Sequence, residues 1–271
     1  MDHVTVLGGS GFIGSHLAQR CRDMGLAVDC PSRDDSWLGG DLGAVFYCVG
    51  LTADFRQRPM DTVEAHVCRL TELLRDGRFN RLIYLASTRV YGLGDEPADE
   101  STPLTVRADE PDHLYNLSKL MGESVALHSG RDVRVARLSN VYGPDDPSEN
   151  FLTSIIRSAV IESHIDMRTA GASSKDYISI GQTVDLLIRL AGSAQHRVYN
   201  IASGRNTRHD QLTQRISALT GATVRYAENA PIVAMRPIDN QRIATEYNAT
   251  YHNVLDDLQP LIDRFQTDKS S

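Results

Sequence analysis

Tyr115 and Lys119 stand four residues apart in Leu-Tyr-Asn-Leu-Ser-Lys (114–119), a spacing that puts a phenol and an ammonium on one face of a helix. A nearby ammonium favours phenolate over phenol, lowering the tyrosine's pKa toward working pH and letting it take a proton from a substrate hydroxyl. By itself the pair also fits two amphipathic residues on a surface helix. Gly8, Gly11 and Gly14 form a second constellation, spaced GxxGxxG directly after an apolar run and directly before a helical pattern. Glycines there let the backbone turn tightly and approach a pyrophosphate, while the helix start offers free N–H groups and a positive dipole end. The third is Ser32-Arg33, at the expected end of a second strand that faces the adenosine ribose in dinucleotide folds. An arginine beside a small hydroxyl suits a 2′-phosphate, so NADP is favoured over NAD. Asp29 takes the acidic role toward a 2′-hydroxyl if the strand ends early, and Asp34 or Asp35 if it ends late.

These residues need elements to hold them. Strand-like and helix-like segments alternate from the first residues onward, the pattern of an α/β fold with a parallel sheet. Strands are expected over Val4–Leu7, Ala27–Ser32, Ala44–Val49, Arg81–Ala86 and Val133–Leu138. Helices are expected from Ile13 to Met24 with Gly25 as cap, along the Val63, Val67, Leu70, Leu74 face, over Tyr115–His128 and near Phe151–Ile161. After Gly143-Pro144 the alternation weakens into a smaller lobe, and Thr267–Ser271 reads as a frayed end.

Composition narrows the chemistry further. With 271 residues, 41% hydrophobic and 23% charged, the chain can bury a core and is neither disordered nor collagen-like. A net charge of −7 gives no positive field for phosphate backbones, which argues against nucleic acid. The longest nearly apolar run, Gly43–Leu51, is half of the ~18 residues a spanning helix needs, and no signal peptide is seen, so no membrane partner and a cytoplasmic location are expected. Cys21, Cys30, Cys48 and Cys68 read as reduced, mostly buried thiols, and the histidines show no metal-ligand spacing.

In this setting the sequence resembles the extended short-chain dehydrogenase/reductase family of NAD(P)-dependent nucleotide-sugar epimerases, dehydratases and reductases. Residues 7–14 (Leu-Gly-Gly-Ser-Gly-Phe-Ile-Gly) look like its cofactor loop, 84–92 (Tyr-Leu-Ala-Ser-Thr-Arg-Val-Tyr-Gly) like its catalytic serine segment, and 137–144 (Arg-Leu-Ser-Asn-Val-Tyr-Gly-Pro) like its turn into the substrate lobe. The resemblance implies Ser87, Tyr115 and Lys119 as catalytic residues. It implies a cofactor cradle of Gly8, Gly11, Phe12, Ile13, Gly14, Ser32, Arg33, Val49 and Gly50 together with Tyr115 and Lys119, and substrate contacts from Thr88, Asn140, Lys175 and Arg236. It also implies a Rossmann-like doubly wound sheet spanning 1–150 with 177–203, a substrate lobe of 151–176 with 204–271, and a homodimer; Leu117, Leu120 and Met121, off the catalytic face, are expected either to meet the partner or to pack on the sheet.

The departures from that pattern carry information. Thr88-Arg89 stands where the dehydratase branch has an Asp-Glu pair, and Arg89 also replaces the cysteine used by enzymes that epimerise beside a ketone. Only Asp34–Gly43 separates the second and third strands, so the sheet is expected one strand narrower than usual, with Trp37 over a shallow adenine pocket. His66 occupies a position where asparagine is usual, and a structural role is expected for it. The resulting expectation is hydride transfer on a nucleotide-linked sugar by an epimerase or ketoreductase rather than a dehydratase. The competing expectation is a non-catalytic NADP-binding regulator on the same fold, disfavoured because Ser87, Tyr115 and Lys119 are all present.

Overall fold

The computed structural model describes residues 1–33, 35, 39–52 and 54–269; Asp34 and Trp37 lie outside the described residues. Apolar, mostly β-branched residues make β1 (His3–Leu7), which is buried from Val4 onward. α1 (Phe12–Asp23) follows the glycine turn and ends before Gly25, whose φ of +79° lets the chain reverse into the next strand. β2 (Ala27–Asp29) is shorter than the expected Ala27–Ser32. Pro31 has no N–H to give to a ladder, so pairing stops before it. β3 (Ala44–Tyr47) is buried throughout, with Ala44 and Phe46 packed on one face of the sheet and Val45 and Tyr47 on the other. Its ladder stops two residues short of Val49.

The expected Val63–Leu74 helix is interrupted. α2 (Pro59–Val63) passes into a π-helical turn, Glu64–Cys68, and then into α3 (Arg69–Asp76). A π turn widens the helical repeat, so residues on either side fall out of the simple period. The buried face therefore runs through Thr62, Ala65, His66, Leu70, Leu73 and Leu74, and Val63 and Val67 are only half-buried. β4 (Arg81–Ser87) leads into a single 3-10 turn, Thr88–Tyr91, after which come α4 (His113–His128) and β5 (Val133–Leu138).

Beyond β5 the chain forms β6 (Asn140–Tyr142), α5 (Phe151–Ile161), β7 (His164–Met167), β8 (Ser174–Ser179), α6 (Ile180–Ser193), β9 (Val198–Ile201), β10 (Asn206–Arg208), α7 (His209–Thr220), β11 (Thr223–Tyr226), α8 (Gln241–Tyr247) and α9 (Leu258–Lys269). The main sheet has six strands in the order β2-β1-β3-β4-β5-β9, every neighbouring pair parallel. β2 is its edge, with β3 on the other side of β1. α1 and α6 cover one face and α3 and α4 the other, which makes it a doubly wound α/β sheet. A separate core gathers α5, α7, α9, β7 and β11.

Two smaller expectations change. Cys21 is buried, but Cys30, past the end of the edge strand, and Cys68, on the outer side of the π turn, are exposed. Thr267–Lys269 continue α9 instead of fraying, and Ser270 and Ser271 lie outside the described residues. Among the described residues no helix is long and apolar enough to cross a membrane.

Candidate active site

The glycine turn is packed as tightly as a close-approach loop requires. A Cβ on Gly14 would lie 2.2 Å from the Gly8 carbonyl oxygen, and one on Gly8 would lie 2.9 Å from the Cys48 carbonyl group. Gly8 also has a φ of +83°, which side chains rarely adopt. The Gly11 amide closes the turn on the Gly8 oxygen (3.1 Å). No side chain caps the start of α1, so Phe12 and Ile13 sit at a helix end whose amides are available to an anion. This cradle fits a pyrophosphate.

Past the end of β2 the chain packs on the glycine turn through Cys30, whose side chain would lie 2.9 Å from a Cβ on Gly9, and Ser32 and Arg33 follow it and are exposed. Asp29 meets the condition of an early strand end, yet its carboxylate is turned back onto His3 Nε2 at 2.9 Å, about 10 Å behind the glycine turn at the spacing of a strand. Asp35 accepts the Ser32 amide proton (2.7 Å), and Arg69 donates to the Arg33 carbonyl (3.1 Å). The Arg33 side chain is thereby left pointing to solvent with its backbone held.

Val49 and Gly50 continue from β3 and join the cradle to the catalytic residues. A Cβ on Gly50 would lie 3.0 Å from His66 Nε2 and 3.4 Å from Lys119 Nζ. Ser87, Tyr115 and Lys119 come together at the carboxyl end of β4. The Ser87 hydroxyl accepts the Arg89 amide proton (3.2 Å) and lies close enough to the Tyr115 phenol to favour its ionised form. Burial raises the phenol's pKa, while the Ser87 hydroxyl and the Arg89 charge act to lower it. Lys119 Nζ donates to the Leu85 carbonyl (2.9 Å) and lies 6.0 Å from the centre of the Tyr115 ring. Burial brings its ammonium down to about 8, although the nearby Glu123 works in the other direction.

His66 is fully buried in the π turn, and both of its ring nitrogens are used. Leu51 N–H donates to Nε2 (3.2 Å), so Nδ1 carries the proton and donates to Ser118 Oγ (2.8 Å), which donates in turn to the Tyr115 carbonyl (2.9 Å). Burial, with the Lys119 charge adding to it, lowers the imidazole's pKa to about 2, so it stays neutral. His66 thus ties the loop after β3 to the backbone of Tyr115.

Other supports were not visible in the motifs. Glu123, four residues past Lys119 on α4, forms a forked ion pair with Arg137 of β5 (2.7 and 3.1 Å), both side chains almost fully buried. Arg137 also donates to the Tyr91 hydroxyl, which donates to Asn200 Oδ1, each at 2.8 Å. The regular Tyr115, Lys119, Glu123 spacing was the one signal of this network in the sequence. Phe55, also unforeseen, is buried with its ring 5.6 Å from that of Tyr115, and the Arg89 guanidinium lies 4.9 Å from the Phe55 ring centre and 5.4 Å from that of Tyr115.

The expected substrate residues divide. Thr88 is buried beside Ser87. Asn140 is exposed at the start of β6, its amide donating to the Asp176 carbonyl (2.8 Å). Asp176 itself is buried and accepts bonds from Ser203 and the Arg205 amide, so it braces the loop after β9. Lys175 lies 4.9 Å from the centre of the Phe151 ring, which stacks on His209. Burial lowers the Lys175 pKa, and the charge on Arg89 lowers it further. Arg236 follows Met235, which bonds to Ser174, and its buried Nε has no hydrogen-bond partner among the described residues.

The model of the NAD dependent epimerase/dehydratase family matches residues 39–202, more than half of the chain. A trifunctional UDP-glucose 4,6-dehydratase/UDP-4-keto-6-deoxy-D-glucose 3,5-epimerase/UDP-4-keto-L-rhamnose-reductase of Arabidopsis thaliana is 27% identical over 192 residues, which cover 65% of this chain and 27% of that protein. The chain thus spans about a quarter of that relative's length. Among solved structures, MoeE5 in complex with UDP-glucose and NAD superposes with a TM-score of 0.83 at 22% identity, covering 99% of this chain and all of that one. RMD from Pseudomonas aeruginosa complexed with NADPH gives 0.83 at 20% identity, covering 98% of this chain and 99% of that one. These two show the fold, and the family match over residues 39–202, from β3 to β9, shows the kinship: this chain belongs to the NAD dependent epimerase/dehydratase family.

Proposed function

We propose that this protein is an NAD(P)-dependent enzyme that acts on a nucleotide-linked sugar by hydride transfer, as an epimerase or ketoreductase. The observation that carries this reading is the convergence of Ser87, Tyr115 and Lys119 in one buried cluster adjoining the glycine cradle through Gly50. A nicotinamide bound along the cradle would supply the hydride chemistry. The protein's own part is proton transfer and positioning. Tyr115 takes the proton of a sugar hydroxyl at its phenolic oxygen and returns it when the carbonyl is reduced, with Ser87 donating to the same sugar oxygen. Lys119 favours the phenolate by its charge, and the His66–Ser118 chain fixes the tyrosine's backbone. Thr88-Arg89 supplies no carboxylic acid or carboxylate for eliminating water, which weighs against dehydration.

NADP is the proposed cofactor; the reading is supported by the exposed Ser32 and Arg33 just past Cys30, which packs on the glycine turn, and by the Asp29 carboxylate being engaged by His3. The lobe of 151–176 and 204–271 is proposed to hold the nucleotide sugar, with Asn140, Lys175 and Arg236 at its entrance and the two cations toward the diphosphate. A homodimer is proposed through α4 and its neighbour α2.

The test is Tyr115→Phe with the cofactor loaded and a screen of UDP-, dTDP-, GDP- and CDP-sugars. Turnover of the active sugar should fall by about 10²- to 10⁴-fold while the cofactor stays bound. Unaltered turnover would remove Tyr115 from the chemistry.

A further inference from the structure

Arg89, like Lys119, Lys175 and Arg236, makes no ion pair with a described residue, and of the four it is the one set against both the Phe55 and Tyr115 rings. Its main chain is held at both ends, the amide by Ser87 and the carbonyl by the Asn116 side chain, so the side chain starts from a fixed point. The guanidinium lies beside the Phe55–Tyr115 ring pair, 4.9 and 5.4 Å from ring centres that are themselves 5.6 Å apart. Asp112, the acid that most favours its charged form, is committed to Arg56. Burial disfavours the charge, Arg56 adds to that, and Lys175 stands near enough for mutual repulsion. A half-buried guanidinium without a counter-charge is costly in an empty site, and a carboxylate is the ligand whose two oxygens match its fork. Its place beside the Tyr115 ring sets it against the reacting sugar, whereas Lys175, on β8 over Phe151, faces the lobe.

Building on the function proposed above, we propose that Arg89 is a specificity-determining residue that receives a carboxylate carried by the sugar, so that the preferred substrates are nucleotide-linked sugar acids rather than the corresponding neutral sugars. Removing such an anion leaves the guanidinium without its partner, and sites built around a buried polar contact discriminate strongly against analogues that lack it. A role confined to tuning the Tyr115 phenol would act on acid and neutral sugars alike. So would a role in binding the diphosphate.

Two matched pairs test this on the cofactor-loaded protein: UDP-glucuronic acid with UDP-glucose, and GDP-mannuronic acid with GDP-mannose, by calorimetric Kd and by kcat/KM. The parent protein is expected to prefer the acid at least ten-fold in one pair. Arg89→Gln should collapse that ratio toward one and Arg89→Lys should restore part of it, while Lys175→Gln should weaken both members equally and keep the ratio. Thermal melting and cofactor binding establish that each variant is folded. Equal or better use of the neutral sugar by the parent, or an acid preference that survives Arg89→Gln, overturns the assignment and leaves the sugar-nucleotide reading standing. Failure of all four to bind overturns the assignment of these sugar acids, and the sugar-nucleotide reading then stands or falls with the wider screen of dTDP- and CDP-sugars.

Discussion

At the scale of single residues, the site is a set of charged groups held away from water, and their titration can be read. Folding lowers the Lys119 pKa from 10.5 to about 8, so between those values the unfolded chain binds a proton that the native chain has lost. The contribution of this group to stability therefore rises with pH across that window, and below it the native state carries the full cost of a buried ammonium. The difference is on the order of 3 kcal/mol. Lys119→Met should flatten the rise, as measured by urea unfolding at pH 7.5 and 10; parallel changes in parent and variant would show that the ammonium is solvated. Arg33 gives a second residue-level prediction. Arg33→Ala should weaken NADP(H) by about 1–3 kcal/mol and leave NAD(H) nearly unaffected. Tighter binding of NAD by the parent protein would count against the 2′-phosphate contact.

At the scale of elements, glycines that look alike in the sequence have unlike jobs. Gly14 touches the Gly8 oxygen so closely that a methyl group cannot be added without moving the turn, whereas a Cβ at Gly25 meets nothing within 4 Å. Gly14→Ala should abolish cofactor binding as well as destabilise the fold. Gly25→Ala should cost only about 1–2 kcal/mol from its left-handed backbone and leave cofactor affinity alone. Isothermal titration beside thermal melting separates the two, and a Gly14→Ala protein that binds NADP(H) normally would contradict the cradle. The π turn belongs to this scale too. It sets the His66 ring against Ser118 and Leu51, a position that the regular Val63, Val67, Leu70, Leu74 period does not foretell.

At the scale of the whole molecule, α2 packs beside α4, and each presents a methionine to solvent: Met60 is 80% exposed and Met121 55%. Leu117 and Leu120 are half-buried on the same helix as Met121. Apolar side chains gathered on two neighbouring helices fit an isologous interface, in which the same patch meets itself. Light scattering at micromolar concentration should give twice the 29.9 kDa chain mass. Met121→Glu should shift the protein to monomer with cofactor binding intact, and a monomeric parent would remove the dimer.

The order of strands and helices as far as α5, the glycine turn and the Tyr115–Lys119 pair were legible from residue types alone, because each rests on short-range physics: the period of an amphipathic helix, the conformational freedom of glycine, a four-residue spacing. Even the narrow edge of the sheet showed in the short connection after β2. Other features exist only where distant segments meet. The His3 bond that engages Asp29, and the strand end that comes before Pro31, belong to this class. Arg89 read as the absence of an acid, and folding makes it a presence: Phe55, Tyr115 and Lys175, from three other parts of the chain, set its surroundings. Solvation and charge depend on everything packed around a group, so the sequence by itself determined which groups the site contains, and the tertiary structure decided which of them are left without a partner.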